Sequence, residues 1–360
     1  MSDKKKEATD VNNEAVTFGA RNDVKNSPEQ KSDSSDDEKH PGSKKRDMCQ
    51  KAAVVSTEVQ HLQEKVASIE DVVLIDPDTL ELDLNHHRIE KLENFEPLKR
   101  IERLFLRWNL VKKIENIEML TTLVEIEFYD NQITKIENLD ALTNLEILDL
   151  SFNRLTQIEN LEKLTKLTKL YLSSNRLKLI ENVGMLSNLT MLELGDNKIR
   201  KIENLETLVN LRQLYLGKNK ITKIENLEQL VNLQSLSLPA NRITKIENLD
   251  KLVNLTELYL SENGIEKIEN LEHNIQLDTL DLAKNRLKSV DNVEGLTVLQ
   301  DLWLNDNNID RWPNLEVLKV NKSLSTLYLE RNPVSKDPMY RLKLKNILPW
   351  LEQIDATLCR

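Results

Sequence analysis

The pattern of apolar and polar positions along this chain repeats every 22 residues. An asparagine marks each period, first at Asn109 and last at Asn307. The asparagines between them are Asn131, Asn153, Asn175, Asn197, Asn219, Asn241, Asn263 and Asn285. His87 lies one period before this series, and Asn332 follows it after 25 residues. The pattern predicts twelve repeats of one structural unit, of which the two outer ones are irregular.

Two kinds of local structure are predicted within each period. Leucines alternate with polar residues before the asparagine, as at Leu148 and Leu150, which predicts a short strand with one buried face. After the asparagine, apolar residues recur at steps of three, as at Ile136 and Leu139, which fits a 3₁₀-type segment better than an α-helix. The recurring phrase "TKIENL" would form the corner of each coil, with its asparagine, such as Asn138, capping the turn.

One coil of this kind cannot bury its own leucines, whereas stacked coils bury a continuous column. A period of 20–29 residues with spaced leucines is typical of leucine-rich repeats. We therefore expect an α/β repeat fold: a leucine-rich-repeat solenoid of about twelve 22-residue repeats over residues 78–331. Its concave side would be a parallel sheet, its convex side short 3₁₀ or helical segments, and residues 332–360 would complete the last repeat and form a helical C-terminal cap.

The recurring asparagines, called here the anchor asparagines, are expected to be structural. An amide offers two donors and an acceptor, so it can tie neighbouring coils together through backbone groups at a tight bend. His87 occupies the same position in the first coil, where it indicates an irregular edge rather than a metal ligand or an acid–base group.

The two ends of the chain differ from the repeats. Residues 1–77 are rich in Ser, Lys, Asp and Glu and are predicted to form a disordered polar tail. Ser34 and Ser35 each precede an acidic residue by three positions, so they are candidate phosphorylation sites, with an unmodified tail as the alternative. At the other end, apolar residues that could close the stack are Tyr340, Leu344, Leu348, Trp350 and Leu351.

Composition narrows the possible functions. The net charge of −10 argues against a nucleic-acid backbone as the main partner. The sequence contains no long apolar run that would predict a membrane span, and two cysteines are too few for a disulfide framework, which indicates an intracellular protein. Seven scattered glycines form no phosphate-binding loop, and the five histidines have no metal-ligand spacing. We expect neither catalysis nor a cofactor nor a metal.

The strand positions between the buried leucines are more informative, since their side chains point to the concave face. Read four residues before each anchor, they are Asp83, Phe105, Glu127, Asp149, Tyr171, Glu193, Tyr215, Ser237, Tyr259, Asp281, Trp303 and Tyr328. Six of the chain's 15 aromatic residues fall in these twelve positions, and the aromatics are expected to avoid the rest of the surface. Solvent-facing aromatic residues flanked by charge are typical of protein interfaces. The alternative is that alternating strands simply need polar outward residues.

Together, the I-E-N-L repeats, this acidic and aromatic column and the terminal "YRLKLKNILPWLEQIDAT" resemble the leucine-rich-repeat regulatory subunits of protein phosphatase 1 over residues 78–360. The resemblance implies binding of the phosphatase catalytic subunit through Asp149, Tyr171, Glu193, Tyr215, Asp281, Asp301, Trp303 and Tyr328. Tyr259 belongs to the same column and joins this predicted set. Tyr171 and Tyr215 replace the family's Phe, and Asp301 replaces its Glu.

The resemblance further implies a monomeric, non-catalytic protein of the nucleus and cytoplasm that controls the activity, maturation or targeting of the phosphatase. A small phosphatase inhibitor protein would sometimes join the complex. Val16, Thr17 and Phe18 lack the preceding basic residue of a common phosphatase-docking motif, so binding should depend on the concave face. The alternative function is a leucine-rich-repeat scaffold of a ribonucleoprotein or of an axonemal or cytoskeletal assembly.

Overall fold

The computed structural model describes residues 76–359. The predictions for residues 1–75, including the phosphorylation sites Ser34 and Ser35 and most of the polar tail, lie outside this range.

A single sheet runs through the described part of the chain. It has 14 strands in sequence order, each paired with the next. The strands are β1 (Glu81–Asp83), β2 (Arg103–Phe105), β3 (Glu125–Glu127), β4 (Ile147–Asp149), β5 (Lys169–Tyr171), β6 (Met191–Glu193), β7 (Gln213–Tyr215), β8 (Ser235–Ser237), β9 (Glu257–Tyr259), β10 (Thr279–Asp281), β11 (Asp301–Trp303), β12 (Thr326–Tyr328), β13 (Gln353–Ile354) and β14 (Thr357–Leu358). All pairs are parallel except β13 with β14.

The parallel register follows directly from the 22-residue period. Leu148 on β4 pairs with Leu170 on β5, and Asp149 pairs with Tyr171, so equivalent positions of successive coils lie side by side. From β2 to β12 the central residue of each strand is fully buried, and in most coils so are the apolar residues at steps of three after the anchor. They form one continuous core along the stack, which confirms the predicted solenoid.

Tight turns, rather than continuous helices, build most of the side opposite the sheet. Leu142 donates its backbone N–H to the carbonyl of Leu139 (2.9 Å), and Leu145 donates to Leu142 (3.0 Å). These bonds have the predicted three-residue step, but in most coils they form separate turns. Within residues 76–359, 3₁₀ helices occur only at Trp312–Val320 and Pro333–Lys336.

The predicted role of the asparagine in "TKIENL" is wrong. Asn138 does not cap its own turn; its Nδ2 donates to the carbonyl of Ile114 in the preceding coil (2.7 Å). Its backbone has φ 60°, in the left-handed region that asparagine tolerates better than most residues. The same bond recurs one coil on, from Asn160 to Ile136 (2.6 Å). This asparagine therefore supplies both the bend and a bond between coils.

The anchor asparagines have the structural role predicted for them. Asn197 is buried, and its Nδ2 lies 3.0 Å from the carbonyl of Leu172 in the preceding coil and 3.1 Å from those of Leu194 and Gly195. Its Oδ1 accepts the N–H of Leu177 (3.0 Å). One amide thus satisfies backbone groups of two coils, which explains why it recurs in every period.

The C-terminal end of the stack is closed by helix α1 (Tyr340–Ile347) and the segment after it. Tyr340, Leu344, Leu348 and Leu351 are buried in the core, and Trp350 packs partly buried against it. A helical cap forms here, as predicted.

Candidate partner-binding face

The residues predicted to bind a partner lie on one face of the sheet, and all of them except Asp301 form a single row across it. Each lies on one of the strands from β4 to β12. Residues at the position four before an anchor lie side by side on neighbouring strands, as Trp303 does between Asp281 and Tyr328. We call this set the concave strip: Asp149, Tyr171, Glu193, Tyr215, Tyr259, Asp281, Asp301, Trp303 and Tyr328. With adjacent strands ~4.8 Å apart, its eight steps from β4 to β12 span roughly 38 Å.

Aromatic side chains gather at the C-terminal half of the concave strip. The ring of Trp303 lies 6.3 Å from that of Tyr259 and 6.2 Å from that of Tyr328, the latter edge-to-face. All three side chains are half-buried, and the Tyr328 hydroxyl accepts a hydrogen bond from Gln353 Nε2 (2.8 Å). Aromatic pairs at these distances stabilise one another, so the cluster presents a preorganised apolar surface.

Two carboxylates of the concave strip are not solvent-facing, contrary to prediction. Asp149 and Asp281 are only 7% and 6% exposed. In each, Oδ1 accepts the backbone N–H two residues further on, from Ser151 (2.8 Å) and Ala283 (2.9 Å). Neighbouring strands crowd these short side chains. Each carboxylate therefore stabilises the backbone of its own coil in addition to lining the concave face.

Glu193 makes the equivalent bond and depends on a glycine to do so. Its Oε1 accepts the N–H of Gly195 (2.7 Å). A Cβ at Gly195 would lie 2.6 Å from that oxygen, so any larger residue would displace the carboxylate. Gly195 was predicted to leave room for a partner. Its small size is instead required locally, by the hydrogen bond to Glu193.

Burial changes the charge of the strip. It raises the pKa of Glu193 to about 7, against the lowering effect of the Gly195 hydrogen bond. Burial likewise raises the pKa of Asp149 and of Asp281. Near neutral pH the strip is therefore less negative than its carboxylates suggest. Asp301 lies beside Trp303 on β11, is half-buried and forms no ion pair within residues 76–359, so it provides accessible negative charge next to the aromatic cluster.

Aromatic residues also occupy a surface that the sequence prediction missed. Trp108 and Phe152 are 42% and 44% exposed, so aromatics do not avoid the rest of the surface. Both stand immediately before an anchor asparagine, a position outside the strand's alternating pattern. The signal was present in the sequence: at this position most coils carry polar or charged residues instead.

The described residues contain neither a candidate metal site nor a candidate membrane-spanning helix. Among residues 76–359, no cluster of three or more histidine, cysteine or acidic side chains has the geometry to hold a metal ion. No helix in that range has both the length and the apolar character that crossing a membrane requires.

Two protein-family models match the repeats. "Leucine Rich repeats (2 copies)" matches residues 121–163, 143–185, 165–207, 187–229 and 231–273, and "Leucine-rich repeat" matches residues 257–357.

Curated relatives match a short segment. Protein phosphatase 1 regulatory subunit 7 of Danio rerio and that of Homo sapiens are each 58% identical over 43 residues, which is 12% of this chain and 12% of either relative. The chain thus matches only a small part of the length of these relatives.

Solved structures share the fold over much more of the chain. An internalin of Listeria monocytogenes has a TM-score of 0.64 at 24% identity and covers 81% of this chain and 93% of its own. A Leptospira interrogans leucine-rich-repeat protein has a TM-score of 0.60 at 27% identity, covering 71% and 73%. The matched families and structures are repeat scaffolds, and the curated relatives are named as regulatory subunits, which confirms the prediction of a non-catalytic protein. The repeat period, the parallel solenoid and both family matches agree: the chain is a leucine-rich-repeat protein.

Proposed function

We propose that this protein is a regulatory subunit that binds the catalytic subunit of protein phosphatase 1 through the concave strip. The 43-residue segment shared with regulatory subunit 7 supports the choice of partner. Binding would control the activity, maturation or targeting of the phosphatase, in the nucleus and cytoplasm. A small inhibitor protein would join some of these complexes.

The aromatic cluster of Tyr259, Trp303 and Tyr328 is the observation that carries the proposal. Trp and Tyr dominate the energetically important centres of protein interfaces because they bury a large area with few rotatable bonds. These three side chains are half-buried in the free chain, so a partner can cover their remaining exposed surface.

The length of the strip limits the kind of partner. Roughly 38 Å of row is too long for a small metabolite and matches the face of a globular protein. Asp301 would add a charged contact beside the apolar centre, and a basic group on the partner would complement it. The protonated share of Glu193 lets the middle of the strip be covered at a smaller desolvation penalty than a full carboxylate would impose.

Calorimetric titration of the full-length protein with purified catalytic subunit tests this function. We expect saturable one-to-one binding that Tyr259→Ala and Asp301→Asn weaken. Lys223→Ala, an exposed change in a "TKIENL" corner, should bind like the wild type. An absence of binding up to about 10 μM catalytic subunit would exclude a stable complex and with it the proposed function.

A further inference from the structure

Four aromatic side chains form an exposed stack at the N-terminal end of the solenoid. His86 lies flat against Trp108, with ring centroids 4.3 Å apart and an interplanar angle of 8°. Trp108 meets the edge of Tyr129 at 5.5 Å, and Tyr129 contacts Phe152 at 4.8 Å. This N-terminal aromatic ladder crosses the first four coils and lies outside the row of the concave strip.

Neither core packing nor local backbone preference accounts for the ladder. Trp108 and Phe152 remain 42% and 44% exposed, so they contribute little to the core. Both have φ 54°, in the left-handed region that disfavours bulky side chains. The same position in other coils carries Asp130, Ser174, Asp196, Lys218 and Ala240. Two large aromatic residues at such sites are locally unfavourable, and a contiguous exposed apolar patch of this kind is typical of a binding surface.

The ladder already accommodates one guanidinium group. Arg107 lies over the ring of Tyr129, with its Cζ 5.8 Å from the ring centroid. Its Nε and Nη2 also donate to the carboxylate of Glu127, with Nη2 2.7 Å from Oε1. Arg107 is therefore neutralised in place, and the exposed ring surface of Trp108 and Phe152 is available to a second cation.

The charges in the middle of the ladder favour a cation as well. Asp130 stands on the coil between Trp108 and Phe152, is exposed, and forms no ion pair within residues 76–359. The position after the anchor is basic in the central coils, at Arg176, Lys198, Lys220 and Arg242, and at the two ends of the ladder, at Arg88 and Arg154. Beside Trp108 and Asp130 that position holds the uncharged residues Leu110 and Gln132.

We propose that the N-terminal aromatic ladder, together with Asp130, binds an arginine-bearing peptide segment of a protein partner. The guanidinium group would stack on an exposed ring and pair with the Asp130 carboxylate. This site is separate from the concave strip and does not rest on phosphatase binding.

The test uses the full-length protein and a dye-labelled peptide of alternating arginine and glycine, with fluorescence anisotropy as the readout at physiological ionic strength. A matched peptide with glutamine in place of arginine serves as the ligand control. We expect saturable binding of the arginine peptide, weakened at least about fivefold by Trp108→Ala and by Phe152→Ala. Asp130→Asn, an exposed and nearly isosteric change, should weaken binding without affecting the fold.

Matched variants separate the ladder from general charge attraction. Asp140→Asn removes an exposed carboxylate elsewhere, and Leu179→Ala removes a 52% exposed apolar side chain; both should bind as the wild type does. Trp303→Ala should also leave peptide binding unchanged, whatever it does to phosphatase binding. Equal binding of the glutamine peptide, or wild-type affinity in folded Trp108→Ala and Asp130→Asn, would overturn the proposal.

Discussion

At the scale of single residues, amide side chains hold the coils together. Asn197 engages three carbonyls and one N–H across two coils, and it is only 7% exposed. Its role was predictable because a 22-residue recurrence of one residue type implies a requirement that every coil shares. The burial of Asp149 and Asp281 was not predictable, because alternation shows which face a side chain points to but not how closely neighbouring strands crowd it.

Asn197→Ala should lower the free energy of unfolding by about 3 kcal/mol, since it leaves several buried backbone groups without partners. Asn232→Ala is the matched control: that amide is exposed and donates to one carbonyl, of Val209 (2.9 Å), so its loss should change stability by less than about 1 kcal/mol. Urea denaturation of the two variants measures the difference. Equal effects would show that burial of the anchor amide is not what matters.

The raised pKa of Glu193 predicts that the free energy of unfolding depends on pH. Its pKa rises from 4.5 to about 7 on folding, so between these values the folded chain keeps a proton that the unfolded chain releases. Ionisation as the pH rises therefore removes stability, up to about 3 kcal/mol for this group.

Glu193→Gln keeps an acceptor for the Gly195 N–H but cannot ionise. We expect the wild type to lose more unfolding free energy than Glu193→Gln between about pH 5 and about pH 8, measured by urea denaturation. Asp149 and Asp281 remain in both proteins, so the difference reports on Glu193. Parallel pH profiles for the two proteins would contradict the raised pKa.

At the scale of elements, three-residue strands are stable only through their neighbours. The sequence predicted these strands and the helical cap because alternating leucines and a break in the period mark them clearly. It did not predict how the "TKIENL" turn is held, because the partner of Asn138 is a carbonyl 24 residues earlier, which no local rule for capping can identify.

Asp355 closes the last coil and yields a prediction for the cap. Its Oδ1 accepts the backbone N–H groups of Leu329 (2.8 Å) and Glu330 (2.9 Å). Asp355→Ala should speed hydrogen exchange of those two amides at least about tenfold, while amides of the central coils, which contact only their own neighbours, keep their protection. Glu352→Ala, an exposed change in the same segment, should have no effect. Unchanged exchange at Leu329 would show that Asp355 does not hold the cap.

At the scale of the whole molecule, one stack of coils presents two separate aromatic surfaces. The concave strip was predictable in position because every coil places the same position on the same face. The N-terminal aromatic ladder was not, because its rings come from positions that are polar in most coils and meet only when the coils stack.

The most direct test of the central claim is the affinity of Trp303→Ala for the catalytic subunit of protein phosphatase 1, measured by titration calorimetry with circular dichroism to establish folding. Trp303 lies at the centre of the aromatic cluster, and its side chain is on the sheet face away from the buried leucines. We expect binding to weaken by at least about 2 kcal/mol, roughly thirtyfold, with the fold retained. If folded Trp303→Ala binds the catalytic subunit as tightly as the wild type, the concave strip is not the docking site.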